Sequence, residues 1–155
     1  MAINLDNKGR MALPTLHRAA IENDCSRRLV VTYNPYEEFC LFMYPEHRWK
    51  EVRDGVMALT SNDGRHRWMQ RCLVGSAAQL EPDGQWRLQI PQQLRQVTGL
   101  DKRVVLMGMG DRFEIWNEAV LSESRRKFME EQKLRIAANV MDVSTISDEL
   151  KSLNI

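Results

Sequence analysis

When the chain is slid against itself, one stretch matches another at an offset of 77 residues. The first is Leu5-Asp6-Asn7-Lys8-Gly9-Arg10-Met11-Ala12-Leu13-Pro14, with Arg18 beyond it. The second is Pro82-Asp83-Gly84-Gln85-Trp86-Arg87-Leu88-Gln89-Ile90-Pro91, with Arg95 beyond it. Asp, Arg, Pro and the second Arg all superpose. Self-similarity at a fixed spacing constrains the whole fold, because each copy must be one supersecondary unit that buries its apolar face against its neighbour. A unit of about 45 residues is too small to be stable on a core of its own, so the two copies must share one core or pair with a partner, and a single fused β-barrel is expected.

Local signals define what one unit is. Apolar and polar residues alternate in Met11-Ala12-Leu13 and in Leu88-Gln89-Ile90, the period of a half-buried strand. Each run is stopped by a proline, which cannot donate a ladder bond but suits the start of a helix. Helix-like stretches follow at Thr15 to Glu22 and at Gln92 to Val97. β-rich runs come next, Leu29 to Tyr33 and Phe39 to Tyr44 in the first copy, Val104 to Met107 and Phe113 to Trp116 in the second. Each unit therefore reads strand, turn, strand, short helix, strand, strand. The turns Asp6-Asn7-Lys8-Gly9 and Asp83-Gly84 supply residues that tolerate positive φ and that cap turns through a side-chain oxygen, as hairpin tips do. Between the copies, Trp49, Val52, Val56, Met57 and Leu59 recur at helical spacing, break at Ser61-Asn62-Asp63-Gly64 and resume through Trp68, Met69, Cys72 and Leu73, which predicts a helical hairpin. A helical tail is predicted from Leu121 to about Met141.

Composition excludes several classes. Of 155 residues, 22 are basic and 21 acidic, a net charge of +1, so bulk electrostatics cannot coat nucleic acid and any DNA contact must be local. The 43% hydrophobic content is that of a globular protein. No apolar run approaches the roughly 18 to 20 residues of a bilayer span, and MAINLDNKGR lacks the apolar stretch of a signal peptide, so a cytoplasmic location and no membrane partner are expected. Cys25, Cys40 and Cys72 are odd in number with no CxxC pair, which fits reduced thiols and not a zinc ribbon. His17, His47 and His66 have no metal-ligand spacing, and no phosphate-binding glycine motif occurs, so neither metal, cofactor nor small-molecule substrate is expected. Self-cleavage at Gly75-Ser76 is the one enzymatic reading the residues offer, and an ordinary turn leading into a strand is the better reading of that dipeptide. The chain is expected not to be an enzyme.

The residues at 5–14 and 83–100, Leu-Asp-x-Lys-Gly-Arg-x-x-x-Pro and Asp-x-x-x-Arg-x-x-Ile-Pro-x-x-Leu-Arg-x-x-x-Gly-Leu, resemble the two tandem motifs of the MraZ family, built from AbrB/SpoVT-type modules. The resemblance extends to Met-Gly-Asp-Arg-Phe-Glu-Ile-Trp at 109–116 and covers nearly the whole chain. It implies a mixed α+β fold with a β-barrel core, a swapped-hairpin, double-psi-like barrel, carried on ring-like homo-oligomers. It divides the chain into a first module at 1–47, a helical insert at 48–75, a second module at 76–119 and a helical tail at 120–155. Members of that family regulate a bacterial cell-division and cell-wall gene cluster by binding G-rich direct repeats in promoter DNA, which implies a nucleoid-associated protein.

Carried over position by position, the DNA-contacting arginine falls on Arg10, with Lys8 beside it and Arg87 at the equivalent tip. Asp6, Gly9, Asp83 and Gly84 are the motif's turn residues. Two departures stand out. Trp86 replaces the glycine before the second arginine, where an indole is expected to reshape or stiffen the turn. Family members also carry several more residues, a Phe and a Gly among them, ahead of the segment that starts here at Ala2, so a shortened first strand is expected.

Bland alternatives accompany these readings. Asp6 and Arg10 could do no more than pair across a turn, a surface ion pair worth little. Arg65-His66-Arg67 and Arg71 are read as a solvated helix face, and Arg125-Arg126-Lys127 ahead of Glu130-Glu131 as i,i+4 pairing. The nine methionines and four tryptophans are read mostly as core or subunit contacts. The alternative function is an oligomeric protein-interaction or antitoxin-like module of the same fold, without promoter recognition.

Overall fold

The computed structural model describes residues 1–36 and 39–138, and Leu153. The predicted tail beyond residue 138 lies outside them apart from Leu153. The first copy runs β1 (Ala2–Asn4), β2 (Arg10–Ala12), α1 (Thr15–Cys25), β3 (Leu29–Tyr33) and β4 (Cys40–Pro45). The second runs β5 (Ala78–Leu80), β6 (Arg87–Gln89), α4 (Gln92–Thr98), β7 (Arg103–Gly108) and β8 (Phe113–Asn117). Between them lie α2 (Glu46–Met57), α3 (Gly64–Met69) and a π-helical turn, Gln70–Val74. The order predicted for each unit is the order observed.

Prolines set the starts of three helices. Pro14, Pro45 and Pro91 each occupy the N-cap of the helix that follows, with φ near −55° to −58° and ψ near 140° and no side-chain cap. The fixed φ ends the preceding extended segment and leaves the next residue free to turn helical. α4 stops at Gly99 in the left-handed region, the usual C-terminal device. α1 is one turn longer than α4 and stops instead at Ser26, also left-handed.

Strand exchange unites the copies. The sheet order is β1-β7-β8-β4-β3-β5, all antiparallel, which reads the same from either end when the copies are interchanged. The first strand of each copy is thus an edge strand on the other copy's strand pair: Ala2 faces Val105, and Gln79 faces Val30. β2 and β6 form a separate two-stranded ribbon in which Met11 faces Leu88, its own counterpart in the repeat. The pairing is that of a pseudo-two-fold axis through the ribbon and through the β4–β8 seam. One core results. Met11, Leu13, Ile21, Leu29, Val31, Leu41 and Met43 pack with Leu88, Ile90, Leu94, Val104, Leu106 and Ile115, all fully or almost fully buried. The shared core expected from the size of a single copy is what the structure contains.

The insert is the expected helical hairpin with an irregular end. Gln70 Nε2 donates to the carbonyls of Val56 and Leu59, tying the π-helical turn to the end of α2 and the loop that follows it. Buried Thr32 donates from Oγ1 to the Leu73 carbonyl at 2.6 Å, tying the π-helical turn to β3. A Cβ on Gly75 would lie 2.7 Å from the Arg71 carbonyl, so glycine there lets the wide turn close. The Gly75-Ser76 step therefore has a structural use: Ser76 Oγ donates back to the same carbonyl. In α3, Arg65 is almost fully exposed, as read for the basic cluster. Trp49 and Trp116 are buried, whereas Trp68 is 64% exposed on this chain.

A second unit begins at Ala119, and of it residues 119–138 and Leu153 are described. Its helix α5 (Glu118–Ala137) begins on the last residue of the first body. Arg126 pairs with Glu130 at i,i+4, as its charge pattern predicts, and also with Glu123 at i,i+3. Among the described residues no helix is long and apolar enough to cross a membrane.

Candidate nucleic-acid interface

The repeated motif builds the same loop twice. In the first loop Asp6 Oδ1 accepts from the amides of Lys8 and Arg10, both at 2.9 Å, and Oδ2 accepts from Arg10 Nε at 2.7 Å. The Gly9 amide donates to the Asp6 carbonyl, and the Asp6 amide to that of Arg10. In the second loop Asp83 Oδ1 accepts from the amides of Gln85 and Arg87, Oδ2 accepts from Arg87 Nε at 2.8 Å, and the same two backbone bonds recur. Five bonds match, donor for donor. Both aspartates are held below the ordinary carboxylate value, chiefly by the arginine amide that each accepts. A carboxylate that satisfies three donors fixes the loop and the arginine together.

The alternative reading of Asp6 and Arg10 as an ion pair is therefore correct as geometry, and it does not exhaust the arginine. A guanidinium presents a side edge and an end edge. Asp6 and Asp83 take Nε, while the end-on Nη1/Nη2 pair of each arginine has no partner among the described residues. Holding Nε removes rotamer freedom that a bidentate contact would otherwise have to remove on binding.

The ribbon brings the two arginines onto one face. Met11 and Leu88 point into the core, so their neighbours Arg10, Ala12, Arg87 and Gln89 point outward together. Arg10 is opposite Gln89 and Arg87 is opposite Ala12, which places the arginines at opposite ends of a ribbon about 7 Å long. Sequence reasoning treated the two loops as separate tips and missed this common face. The signal available was the identical Arg-x-x-x-Pro spacing of both copies, which demands equal strands at a dyad. Lys8 is exposed at the end of the first loop, where its carbonyl accepts from Gln89 Nε2. Gln85 stands at its place in the second loop, so the second loop has no matching cation there.

The turn glycines correct one expectation. Positive φ falls at Gly9, +76°, and at Trp86, +59°, the residue before the arginine in each loop. Gly84 has an ordinary φ and open space around it, so it is not the residue that permits the turn. Nor does Trp86 reshape the loop, whose hydrogen bonds are those of the first. A bulky side chain in the left-handed region costs about 1–3 kcal/mol. Here that cost is met by a cation: Arg27 stacks over the indole at 4.4 Å, with Arg18 at 5.9 Å. A stacked cation returns about 0.5–2 kcal/mol, enough to offset much of the strain.

Across the pseudo-axis, the guanidinium of Arg95 occupies the space beside Gly9, and a Cβ there would lie 2.4 Å from its Cζ. Arg95 and Arg18 are themselves repeat counterparts, each with Nε bonded to a carbonyl just before its helix, Ile90 and Leu13. Each loop thus rests on an arginine of the other copy. Arg18, Arg27 and Arg95 were not among the predicted site residues.

Among the described residues no cluster of His, Cys, Asp and Glu is suited to a metal and Cys25, Cys40 and Cys72 form no disulfide; Cys25 Sγ donates to the Ile21 carbonyl and Cys40 Sγ accepts from Asn34 Nδ2. The histidines lie apart: His17 packs edge-on against Phe113, His47 faces Asp24, and His66 meets the Thr60 carbonyl.

A module of strand, arginine loop, strand, helix and strand pair, duplicated so that both loops flank one ribbon, is the class of protein that this fold and face define. The family model described as "MraZ protein, putative antitoxin-like" matches the chain twice in tandem, at residues 1–72 and 73–142. A protein of Stenotrophomonas maltophilia (strain R551-3) named Transcriptional regulator MraZ is 49% identical over 117 residues, covering 76% of this chain and 79% of that one. One of the same name from Thioalkalivibrio sulfidiphilus (strain HL-EbGR7) is 42% identical over 130 residues, covering 84% and 85%. Another, from Xylella fastidiosa (strain Temecula1 / ATCC 700964), is 44% identical over 117 residues, covering 76% and 79%. The chain belongs to the MraZ family.

Proposed function

We propose that the chain is a sequence-specific DNA-binding transcription regulator, not an enzyme, that reads G-rich direct repeats in the promoter of a bacterial cell-division and cell-wall gene cluster. The observation that carries this reading is the pair of loops in which an aspartate fixes the half-buried Arg10 and Arg87 by Nε, leaving two end-on forks on one face of the ribbon. Such a fork matches O6 and N7 of guanine in the major groove, and a two-stranded ribbon is narrow enough to enter it. Lys8 supplies a phosphate contact that positions the ribbon without specifying sequence. The near-neutral chain agrees with local contact. The names of the relatives support the regulatory role.

The exchanged strands belong to a swapped-hairpin, double-psi-like barrel in each chain, within modules 1–47 and 76–119 flanking the insert 48–75 and the tail 120–155. Several chains assemble into a ring acting in the cytoplasm at the nucleoid. Two arginine forks offer few contacts, so one ribbon binds weakly. A ring carrying several ribbons converts later contacts into intramolecular ones when DNA repeats are spaced near one helical turn of about 10 bp. Duplexes with one and with three repeats, titrated by fluorescence anisotropy at fixed salt, test this: affinity rises more than threefold with three repeats. Affinity that rises only in proportion to the number of repeats would refute the ring mechanism.

A further inference from the structure

Among the described residues, three that are not glycine have a left-handed backbone, Ser26, Arg27 and Trp86, and all three belong to one contact. α1 runs one turn longer than its counterpart α4. Past its end the chain bends through Ser26 and Arg27, with φ of 50° and 69°, and the Arg27 amide returns to the Ile21 carbonyl. This bend delivers the Arg27 side chain to the second loop, 56 residues away at Asp83. There Nη2 donates to the carbonyls of Pro82 at 3.1 Å and Asp83 at 2.8 Å, while the guanidinium plane lies over Trp86. Glu22, at 3.9 Å, faces it from α1. The first loop has no such clamp, because Gly9 adopts its φ without strain. Backbone strain gathered at one place is retained where the surroundings over-determine it, characteristically beside a functional group.

We propose that Arg27 is a positioning residue for DNA reading by the second loop. By stacking on Trp86 and holding the carbonyls of Pro82 and Asp83, it keeps a tryptophan in the conformation that glycine gives the first loop, and so sets the direction from which Arg87 reaches a base. The inference rests on the reading of the ribbon face as a DNA reader. It makes Arg27 necessary only because residue 86 is not glycine.

The experiment is a double-mutant cycle, Arg27→Ala and Trp86→Gly singly and together, with full-length protein titrated against G-rich repeat and scrambled duplexes. Arg27→Ala is expected to lower the repeat-to-scrambled affinity ratio roughly tenfold while affinity for the scrambled duplex changes less than about twofold. In the Trp86→Gly background the same change is expected to leave the ratio within about twofold, since the loop no longer needs the clamp. Equal losses on both duplexes would make Arg27 a phosphate contact and overturn the proposal. So would an equal loss in both backgrounds, or no loss of preference in a folded Arg27→Ala protein. If wild type shows no preference for the repeat, the DNA reading fails and takes the proposal with it. Should Arg27→Ala melt below the assay temperature, Arg27→Met, which keeps an unbranched stem but has neither a cation for the indole nor a donor for the two carbonyls, is read by the same outcomes.

Discussion

The two loops reach one conformation by opposite routes. At the first, glycine supplies the left-handed residue at no steric cost, and the vacated space is filled by Arg95 from the other copy. At the second, a tryptophan takes the same φ region and is held there by Arg27 and Arg18. The difference teaches that the conserved object within this molecule is the aspartate–arginine clasp, five hydrogen bonds identical in both loops. The residue before the arginine is replaceable when a packing cation replaces what glycine gave.

The largest effect that would sharpen this comparison is an exchange of the two residues. Gly9→Trp has no Arg27 counterpart and must displace Arg95, so it should destabilise the fold by about 2–3 kcal/mol, whereas Trp86→Gly should change stability by less than about 1 kcal/mol. Urea melts decide it, and equal costs at the two positions would break the argument. A smaller effect separates the loops in solution: Lys8→Ala should lower affinity for all duplexes and reduce the slope of log affinity against log salt by about one unit per engaged ribbon. A loss confined to one sequence would contradict a phosphate role.

The smallest effect concerns acid. Asp6 and Asp83 have folded pKa values below their unfolded value near 3.8, so their contribution to stability is complete above that value and lost as pH falls through the folded ones. Both loops should therefore loosen together below about pH 4, read as faster amide exchange at Arg10 and Arg87. Loosening of one loop alone would mean that the clasps are not equivalent.

Much of the fold was legible because the signals are local. Prolines 14 and 91 mark the strand-to-helix steps, the alternation around Met11 and Leu88 marks the ribbon, and the size of one copy calls for a core shared with the other copy or with a partner. The aspartate and arginine of each loop are four residues apart and could be paired on paper. Strand exchange was legible only through the family resemblance, since nothing local says that Ala2 will face Val105 and not its own copy. The support of each loop was not legible. Arg95 reaches Gly9 across the pseudo-axis, and Arg27 reaches Trp86 because α1 is a turn longer and ends in two left-handed residues, neither of them glycine. That bend carries no sequence signature. Trp86 looked disruptive for the same reason: its compensating cation is remote in the chain.

The central claim is that an aspartate-held arginine reads a base. Fluorescence-anisotropy titration of wild type and Arg10→Ala against G-rich direct-repeat and scrambled duplexes, at two salt concentrations, tests it directly. The account predicts that Arg10→Ala folds normally and loses about 1–3 kcal/mol of preference for the repeats per engaged ribbon, with affinity for the scrambled duplex little changed. A folded Arg10→Ala protein with undiminished preference for the repeats would contradict it.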